Sequence, residues 1–463
     1  MALPTPLQAF SGVPKINTAP DKQTIVDGEK MTGAQALIRS LEDLGVEDVF
    51  GIPGGAILPV YHEIKDNTKF RFVLMRHEQA AGHAAEGYAL ATGKVGVCIV
   101  TSGPGATNVV TAIADANMDS VPMVAFTGNV PTPGLGKDSF QEAYIEGITM
   151  PITKHNFTVR KVEELADTMR AAFRIAQSGR KGPVLVDIPK DVTAAVCEFT
   201  PKQPEQIRTV TTYDEQQVKW AADIINAAKR PLVYFGGGVR SAASCQPLRD
   251  LIHKAEIPAT YTLMAAGVVP YGDPMNIGMV GMHGCYTSNR AVADCDVLIA
   301  LGTRFSDRVA LNPKTFARNA TIIQIDIDPS ELGKNVDVDL AIAGDVCYVL
   351  SGMLPLIEEK KHPDWMKMIH EWQAPRIPAE VYGHVFTAQE KANLQDGKTL
   401  LVEGLKNNGQ TFSSYLKVNP YSGQLQYFQE NPNIRRDTSR RAAQADTAQG
   451  QQQEQKKGAK QAV

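Results

Sequence analysis

The sequence lacks several features that would assign it to a particular class of protein. Its six cysteines contain no Cys-x-x-Cys pair, which argues against a zinc site or a disulfide framework and fits a reducing cytoplasm. No apolar run is long enough to span a bilayer, and the N-terminus has no basic start followed by an apolar core. We therefore expect neither a membrane span nor a signal peptide.

The chain also lacks an excess of charge of either sign. Its 47 basic and 50 acidic residues give a net charge of -3. This balance provides no electrostatic case for binding nucleic acid or an anionic membrane. Small neutral or anionic ligands remain as expected partners.

A length of 463 residues predicts two or three domains. The final stretch is Gln-rich and almost free of apolar residues, so it should be disordered, and its basic residues favour a solvated tail over a nucleic-acid arm. The predicted divisions are a flexible leader (1–29), a first domain (30–200), a second domain (215–350), a linker (351–380), a small segment (381–430) and the tail (431–463).

The stretch from Phe72 to Ala89 contains the strongest candidate for a catalytic group. An apolar run predicts a strand, a helix rich in Ala and Gly follows, and Glu78 is expected where the strand meets the helix. The small residues would let a second helix or a cofactor approach closely. A carboxylate held there would lose water, which raises its pKa and suits proton transfer. The alternative is that Glu78 only complements the helix dipole.

Four further apolar runs each end in a turn rich in Gly or Pro or in Pro-Lys-Asp. This repeated pattern of strand, turn and helix predicts an open, doubly wound parallel α/β sheet. The ligands of such a sheet bind at the carboxyl ends of its strands. The predicted strands are Val46 to Phe50, Val95 to Thr101, Val121 to Thr127 and Pro183 to Ile188.

Motifs in this region resemble those of the catalytic large subunit of acetohydroxyacid synthase (acetolactate synthase), a thiamine diphosphate-dependent family. The resemblance extends over roughly residues 30 to 375 and is specific, because independent motifs agree on one site. The motifs are FGIPGGA (50–56), RHEQAAGHAAEGYA (76–89), TSGPGATN (101–108), Phe140-Gln141-Glu142 and SGRKGPVLVDIPKDV (178–192).

The resemblance implies roles for individual residues. Glu78 would hydrogen-bond the pyrimidine ring of thiamine diphosphate and favour its imino tautomer, which generates the ylid. Gln141 would hydrogen-bond a reacting oxygen, and Lys190 would attract an anionic 2-oxoacid, although a solvated Lys190 is the alternative. The remaining implied residues are Pro53, Thr101, Pro104, Asn108 and Phe140 at the cofactor, and Gly55, Ala56, Val130 and Pro131 in the substrate channel.

The second domain shows a similar pattern. Its predicted strands, Arg230 to Phe235, Asp296 to Leu301 and Thr321 to Ile327, end in glycines or acidic residues. From the residues alone this predicts a nucleotide-binding parallel sheet, in which glycines admit a pyrophosphate and a carboxylate holds a ribose. Because Gly-Gly-Gly-Val is not Gly-x-Gly-x-x-Gly, a sheet that uses glycine only for tight turns remains an equal alternative.

The family resemblance implies that this second domain binds FAD, chiefly as a structural cofactor, with Arg180 reaching across from the first domain. The implied FAD-binding residues are Arg180, Gly236, Gly237, Gly238, Thr262, Leu263, Gly281, Met282, His283, Gly302, Arg304, Ser306, Arg308, Val309, Asp326, Ile327, Gly344, Asp345 and Val346.

The resemblance ends near residue 375. The family has a third domain, in which a Gly-Asp-Gly motif and a downstream Asn hold the Mg²⁺ that anchors the diphosphate. The sequence contains no Gly-Asp-Gly, so we expect no metal ligand here. The segment that follows predicts a helix, an Asp396-Gly397 turn and a strand, and faintly resembles a small domain of unknown function from mobile-element proteins of Bacteroides-type bacteria. The helix is predicted at Thr387 to Leu394, the strand at Thr399 to Val402 and a hairpin through Tyr415 to Tyr427.

For function, the resemblance implies the condensation of two 2-oxoacids, pyruvate with pyruvate or 2-oxobutyrate, with loss of CO2, in branched-chain amino acid biosynthesis. It also implies at least a homodimer and a small regulatory subunit as a further partner. One alternative is a catalytically incomplete FAD-binding fragment or fusion that lacks the Mg²⁺ anchor. Another is a different thiamine diphosphate-dependent carboligase or decarboxylase, but Glu78 argues against glyoxylate carboligase, whose pattern lacks that acid.

Overall fold

The computed structural model describes residues 28–66, 69–205, 207, 211–374, 377–419 and 423–433. The chain divides into two compact units, Met1–Arg208 and Thr209–Val463. Most of the predicted leader and nearly all of the predicted tail lie outside the described residues. No helix in the described part of the chain combines the length and hydropathy that a membrane span requires.

The first unit is an α/β domain. Its elements are β1 (Glu29–Thr32), α1 (Gly33–Asp43), β2 (Asp48–Gly51), α2 (Leu58–Asp66), β3 (Arg71–Leu74), α3 (Glu78–Thr92), β4 (Gly96–Val100), α4 (Pro104–Asn108), α5 (Val110–Met118), β5 (Met123–Asn129), α6 (Ile145–Thr149), β6 (His155–Thr158), α7 (Leu165–Gln177), β7 (Pro183–Pro189), α8 (Lys190–Ala194) and β8 (Val196–Phe199). Six strands form a parallel sheet in the order β3-β2-β4-β5-β7-β6, while β1 pairs antiparallel with β8.

The central strands of this sheet, β4, β5 and β7, are buried along their whole length. Along β4, Val97 and Ile99 pack into a core with α1 and α7, whereas Cys98 and Val100 pack into a second core with α3 and α5. Both faces are therefore covered, which explains why these strands are continuous apolar runs. The predicted doubly wound sheet is confirmed.

Helices α3 and α5 approach each other closely because Gly82 has no side chain. A Cβ on Gly82 would lie 2.5 Å from the Cβ of Ala112. We expect Gly82→Ala to force α3 away from α5 and to lower the free energy of unfolding by about 1–3 kcal/mol, the usual cost of overpacking. Urea denaturation of the full-length protein measures this change.

Gly87 offers a matched control on the same helix. It is exposed, and a Cβ there would meet nothing within 4 Å. Gly87→Ala should therefore raise the free energy of unfolding by about 0.5–1 kcal/mol, because alanine loses less backbone entropy in a helix. Equal effects of the two substitutions would contradict this account of the α3–α5 contact.

The second unit begins with another α/β domain and ends in a small segment. Its elements are α9 (Glu215–Ala227), β9 (Pro231–Phe235), α10 (Ala242–Lys254), β10 (Ala259–Tyr261), β11 (Asn276–Met279), α11 (Tyr286–Asp294), β12 (Val297–Leu301), β13 (Thr321–Asp326), β14 (Leu340–Ala343), α12 (Val346–Met353), α13 (Pro363–Gln373), β15 (Glu380–Val381), β16 (His384–Val385), α14 (Ala388–Gln395), β17 (Leu400–Asn407), β18 (Gln410–Val418) and β19 (Leu425–Phe428). Strands β9 to β14 form a parallel sheet in the order β11-β10-β9-β12-β13-β14.

This second parallel sheet is also covered on both faces. Leu232 and Tyr234 of β9 belong to one core, and the alternating Val233 and Phe235 belong to the other. Helix α13 falls within the segment predicted as a linker, but it is packed: Trp365 is 1 % exposed, and its indole Nε1 donates to the Pro231 carbonyl at 2.9 Å. One face of α13, with Trp365, Met366 and Ile369, is therefore buried against the second domain.

The small C-terminal segment is an α+β unit with a core of its own. Strands β17, β18 and β19 form an antiparallel sheet, and β15 pairs with β16. Helix α14 begins with a capping box in which Thr387 and Glu390 exchange hydrogen bonds. The predicted fold class, two doubly wound sheets followed by a short α+β segment, is confirmed. The core consists of Val381, Phe386, Leu394, Val402, Leu405, Leu416 and Val418.

The main hairpin of this segment differs from the prediction. We predicted a hairpin through residues 415 to 427, and β18 does pair with β19 there. A longer hairpin joins β17 to β18 at Asn408-Gly409, both with positive φ (50° and 79°). A two-residue hairpin turn of type I′ needs positive φ at both residues, and Asn-Gly is the strongest sequence signal for such a turn. The strand predicted at Thr399 to Val402 was too short, because β17 extends to Asn407.

Candidate functional site

The turns at the carboxyl ends of the first sheet meet in space. A Cβ on Gly54, in the turn after β2, would lie 2.5 Å from the Thr101 side chain after β4. A Cβ on Gly128, at the end of β5, would lie 3.2 Å from the Cβ of Ala56. Parallel strands direct their turns to one edge, and glycine is required where these turns touch. The structure thus brings together segments that the sequence predicted to share a site.

Glu78 is the first residue of α3 and is half-buried. His77 caps the helix by accepting a hydrogen bond from the Gln79 amide at 3.1 Å. Asn108, the last residue of α4, donates from Nδ2 to Glu78 Oε2 at 2.9 Å. This hydrogen bond fixes the orientation of the carboxylate, so two residues predicted beside the cofactor ring are in contact.

Gly105 and Thr101 pack beside the other carboxylate oxygen. A Cβ on Gly105 would lie 3.6 Å from Glu78 Oε1 and 2.6 Å from Thr101 Cγ2, so this close packing needs glycine. Thr101 Oγ1 also accepts from the Ala56 amide at 3.4 Å. Among the described residues, the one hydrogen bond to the Glu78 carboxylate goes to Oε2, so Oε1 can share a proton with the pyrimidine of thiamine diphosphate. Pro104 lies at the start of α4 and is exposed.

The other predicted site residues of the first domain follow the carboxyl ends of β2, β5 and β7 in the chain. Phe140 is 88 % exposed, Gln141 is exposed with φ 58°, and Lys190 is exposed at the first position of α8. The others follow the same strands: Pro53, Gly55 and Ala56 after β2, and Val130 and Pro131 after β5. Their roles toward substrate stay predictions.

Sequence reasoning missed a buried polar network at the ends of β5 and β7. Asp187 is 2 % exposed and accepts from Thr127 Oγ1 at 2.6 Å and from Asn129 Nδ2. Asn129 in turn accepts from the Val130 amide at 2.7 Å. Burial raises the pKa of Asp187 to about 7, and the hydrogen bonds from Thr127 and Asn129 oppose this rise. The available signal was a carboxylate inside an otherwise apolar strand.

A second cluster of ionisable groups lies between α3 and α5. His83 Nδ1 is 3.0 Å from Glu86 Oε2 and 3.6 Å from Asp115 Oδ2. The three residues place ligand-type atoms within 4.8 Å of one another. Burial raises the pKa of Glu86, while its hydrogen bond to His83 has the opposite effect. His83 and Glu86 thus share a hydrogen bond within α3, and Asp115 of α5 lies near the same imidazole nitrogen.

The residues predicted to bind FAD, apart from Arg180, occupy the carboxyl edge of the second sheet. Arg180 lies in the first unit, where its Nε donates to Ser120 Oγ at 2.9 Å. The other residues follow six strands: 236–238 after β9, 262–263 after β10, 281–283 after β11, 302–309 after β12, 326–327 at the end of β13 and 344–346 after β14.

Several of the glycines on this edge have structural roles. A Cβ on Gly236 would lie 2.5 Å from the Gly302 carbonyl, and one on Gly238 would lie 2.6 Å from Gly302 Cα. Gly281, with φ 105°, has no room for a Cβ because the Arg308 carbonyl would be 2.5 Å away. These glycines permit close backbone contact between neighbouring loops, which supports the tight-turn alternative at these positions.

Other groups on this edge fit an anionic dinucleotide. At Gly237 a Cβ would make an ordinary contact, 3.4 Å from the Cβ of Met264. Arg308 is exposed and Arg304 is half-buried, so guanidinium groups border the same loops. Asp345 caps α12 by accepting from the Cys347 amide at 2.8 Å. The donor set therefore suits a pyrophosphate, although Asp345 already has a structural partner.

Comparison with known proteins agrees with this arrangement. Residues 31–148 match the family model for the N-terminal TPP binding domain of thiamine pyrophosphate enzymes, and residues 218–353 match the model for their central domain. Residues 378–430 match a family described as a protein of unknown function (DUF3945). The small C-terminal segment thus belongs to a different family from the two domains before it.

The chain is also similar to curated acetolactate synthases. It is 51 % identical over 347 residues to one from Mycobacterium bovis, covering 74 % of this chain and 56 % of the relative. It is 47 % identical over 346 residues to the isozyme 1 large subunit of Escherichia coli (74 % and 61 %). A probable large subunit from Methanocaldococcus jannaschii is 47 % identical over 358 residues (75 % and 60 %).

The matched region spans little more than half the length of these relatives. Within that span, both thiamine pyrophosphate enzyme domains are present in order and the predicted pyrimidine-side residues are in contact. By its first two domains the chain therefore belongs to the thiamine pyrophosphate enzyme family and is a relative of the acetolactate synthase large subunits.

Proposed function

We propose that this chain acts in an acetolactate synthase, condensing pyruvate with a second 2-oxoacid, pyruvate or 2-oxobutyrate, with loss of CO2. The observation that carries the proposal is the Glu78 carboxylate, which Asn108 holds through Oε2 at 2.9 Å where Gly105 packs against Thr101. Identities near 50 % to acetolactate synthases support the choice of this reaction within the family.

Thiamine diphosphate, when bound, supplies the carbanion chemistry that neither substrate nor protein can provide. Asn108 holds Glu78 Oε2, so Oε1 exchanges the proton with the cofactor ring. Lys190, exposed at the same edge, attracts the carboxylate of the incoming 2-oxoacid. The Gln141 amide donates to the oxygen on which negative charge develops.

FAD in the second unit is a further part of this proposal. Arg304 and Arg308, both in the loop after β12, would hold the pyrophosphate. A bound flavin would stabilise the native state by mass action without taking part in the condensation. We also propose that Mg²⁺ joins the diphosphate to protein and that a homodimer, with a small regulatory subunit, is the working form.

Exposed apolar side chains support self-association. Tyr144, Ile148, Met150 and Met118 are each between 45 % and 71 % exposed. Met118 ends α5, Tyr144 directly precedes α6, Ile148 lies in α6 and Met150 follows it, and these elements pack together. Exposed apolar groups this concentrated are typical of surfaces that contact another protein.

One observation favours a second function. The sequence contains no Gly-Asp-Gly motif, which is the element expected to anchor the diphosphate through Mg²⁺. Without the element that anchors the diphosphate, the protein would bind flavin but would not turn over pyruvate. This flavin-binding protein is the alternative that an experiment must separate from a synthase.

The separating experiment measures pyruvate consumption and bound flavin on one sample. Purified chain receives thiamine diphosphate, Mg²⁺ and FAD, and the absorbance of the protein-bound flavin is read after gel filtration. We expect a yellow protein that consumes pyruvate and releases CO2. Bound flavin without turnover would instead establish the alternative, and a folded, colourless protein without turnover would contradict both.

A further inference from the structure

The loop between β5 and α6 has an unusual backbone. Gly136, Asp138 and Gln141 have φ values of 73°, 54° and 58°. For residues other than glycine the left-handed region is costly, about 1–2 kcal/mol each. Gln141 is one of these residues and is also the proposed donor to the reacting oxygen. Some interaction must therefore hold the loop in this shape.

The carboxylate of Glu142 provides that interaction. Its Oε1 accepts from the Gly136 amide, and its Oε2 accepts from the Ser139 amide at 2.9 Å. The amide of Glu142 itself donates to the Ser139 carbonyl at 2.9 Å. Backbone hydrogen bonds, above all those from Gly136 and Ser139, hold the pKa of Glu142 below its usual range. The backbone amides of the loop thus bind an anionic group, and this group is the Glu142 side chain of the same loop.

The other side of Gln141 contacts the turn before α4. A Cβ on Gly103 would lie 2.7 Å from the Gln141 carbonyl oxygen and 3.0 Å from its Cα. Gly103 directly precedes α4, whose last residue, Asn108, holds Glu78. The backbone of Gln141 is therefore enclosed between the carboxylate-bound loop and the turn that leads to the proposed catalytic acid.

We propose that Glu142 is a positioning residue. Its ionised carboxylate binds the amides of Gly136 and Ser139 and so keeps Gln141 in its left-handed conformation against Gly103. The catalytic part of this inference rests on the proposed function, whereas the conformational part does not. The other ionisable groups at the loop are Lys137 and Asp138 within it, and Asp191 of α8, which accepts from the Thr132 amide at 2.9 Å.

The test compares Glu142→Gln with the wild type by amide hydrogen exchange. The amide group of glutamine can accept through only one atom and carries no charge, so one of the two loop contacts is lost. We expect exchange at Gly136 and Ser139 to accelerate about tenfold or more, the factor for one lost hydrogen bond to a charged group. Glu164→Gln, an exposed carboxylate in the same unit, is the matched control and should leave exchange in this loop unchanged.

The pH dependence of amide exchange separates the effect of the Glu142 charge from the effect of the side chain's shape. In the wild type, protection of Gly136 and Ser139 should persist below the usual carboxyl range and then fall as Glu142 is protonated. In Glu142→Gln the protection of these two amides should be low at every pH, after the rates are corrected for the pH dependence of intrinsic amide exchange. Wild-type protection that does not change across the acid range would overturn the role of the charge.

Turnover tests the catalytic part. In an active enzyme, Glu142→Gln should lower kcat about tenfold or more with a smaller change in KM, because a displaced Gln141 loses its contact with the developing charge. Accelerated exchange with unchanged kcat would overturn the positioning role. If the wild type shows no turnover, the proposed function fails, and the exchange measurement alone decides whether Glu142 holds the loop.

Discussion

Replacing Glu78 with Gln is expected to abolish synthase turnover while leaving the fold intact. The glutamine carbonyl can still accept the hydrogen bond from Asn108, so the helix start and the α3–α4 contact should survive. The amide cannot exchange a proton with the cofactor ring. General acid–base catalysis contributes about 10²–10⁴-fold, and we expect a loss of at least that size in pyruvate consumption.

The cofactor also provides a readout that does not depend on pyruvate. Exchange of the proton on its reactive carbon, followed by NMR, should be fast in the wild type and slow in Glu78→Gln. Asn108→Ala is the companion variant, because it removes the hydrogen bond to Glu78 Oε2 but keeps the acid. The cofactor proton should therefore exchange more slowly in Asn108→Ala than in the wild type, but faster than in Glu78→Gln. Normal exchange and turnover in Glu78→Gln would remove Glu78 from the mechanism.

The free energy of unfolding is expected to fall as the pH rises from about 4 to about 7, and Asp187 should account for much of the change. Burial raises the pKa of Asp187 from 3.8 to about 7. The folded state therefore binds the proton more tightly than the unfolded state. The associated stability is present below the unfolded pKa and is lost as the pH passes through the folded pKa.

The size of this change in the free energy of unfolding follows from the pKa shift of Asp187. About three pKa units correspond to roughly 4 kcal/mol, as an upper estimate for one buried group. Urea denaturation between pH 4 and pH 8 measures it, with Asp187→Asn for comparison, because asparagine keeps the shape without titrating. Glu86 contributes in the same direction and Asp167 in the opposite direction. Parallel curves for the wild type and Asp187→Asn would contradict this assignment.

Five of the strands that the sequence predicted share a physical property. β4, β5, β7, β9 and β12 are buried along their whole length, and burial on both faces produces a continuous apolar run that can be recognised without a structure. The strands that were missed are short or lie at the sheet edges: β6 is partly exposed, β10 has three residues and β11 is half-buried. Their pairing partners, not their composition, make them strands.

Part of the candidate site could also be predicted from the sequence. Glu78 and Asn108 were placed together by the family resemblance, whereas the residues alone predicted that the turns after parallel strands meet at one edge of the sheet. Asp187 was missed because its hydrogen bonds with Thr127 and Asn129 link two strands 58–60 residues apart in the chain. Glu142 was noticed only as part of a motif, since its partners depend on a loop backbone with positive φ values.

The small C-terminal sheet has a free edge along β17, because β17 pairs only with β18 among the described strands. Three features obstruct that edge. The ladder is irregular around Gly404, which has φ 76°; Glu403 and Lys406 place charges along the strand; and the Lys406 amide already donates to the Tyr382 carbonyl at 2.8 Å. Bulges and charges of this kind prevent edge-to-edge growth of sheets. The β17 edge is therefore protected against pairing with a strand of a second molecule.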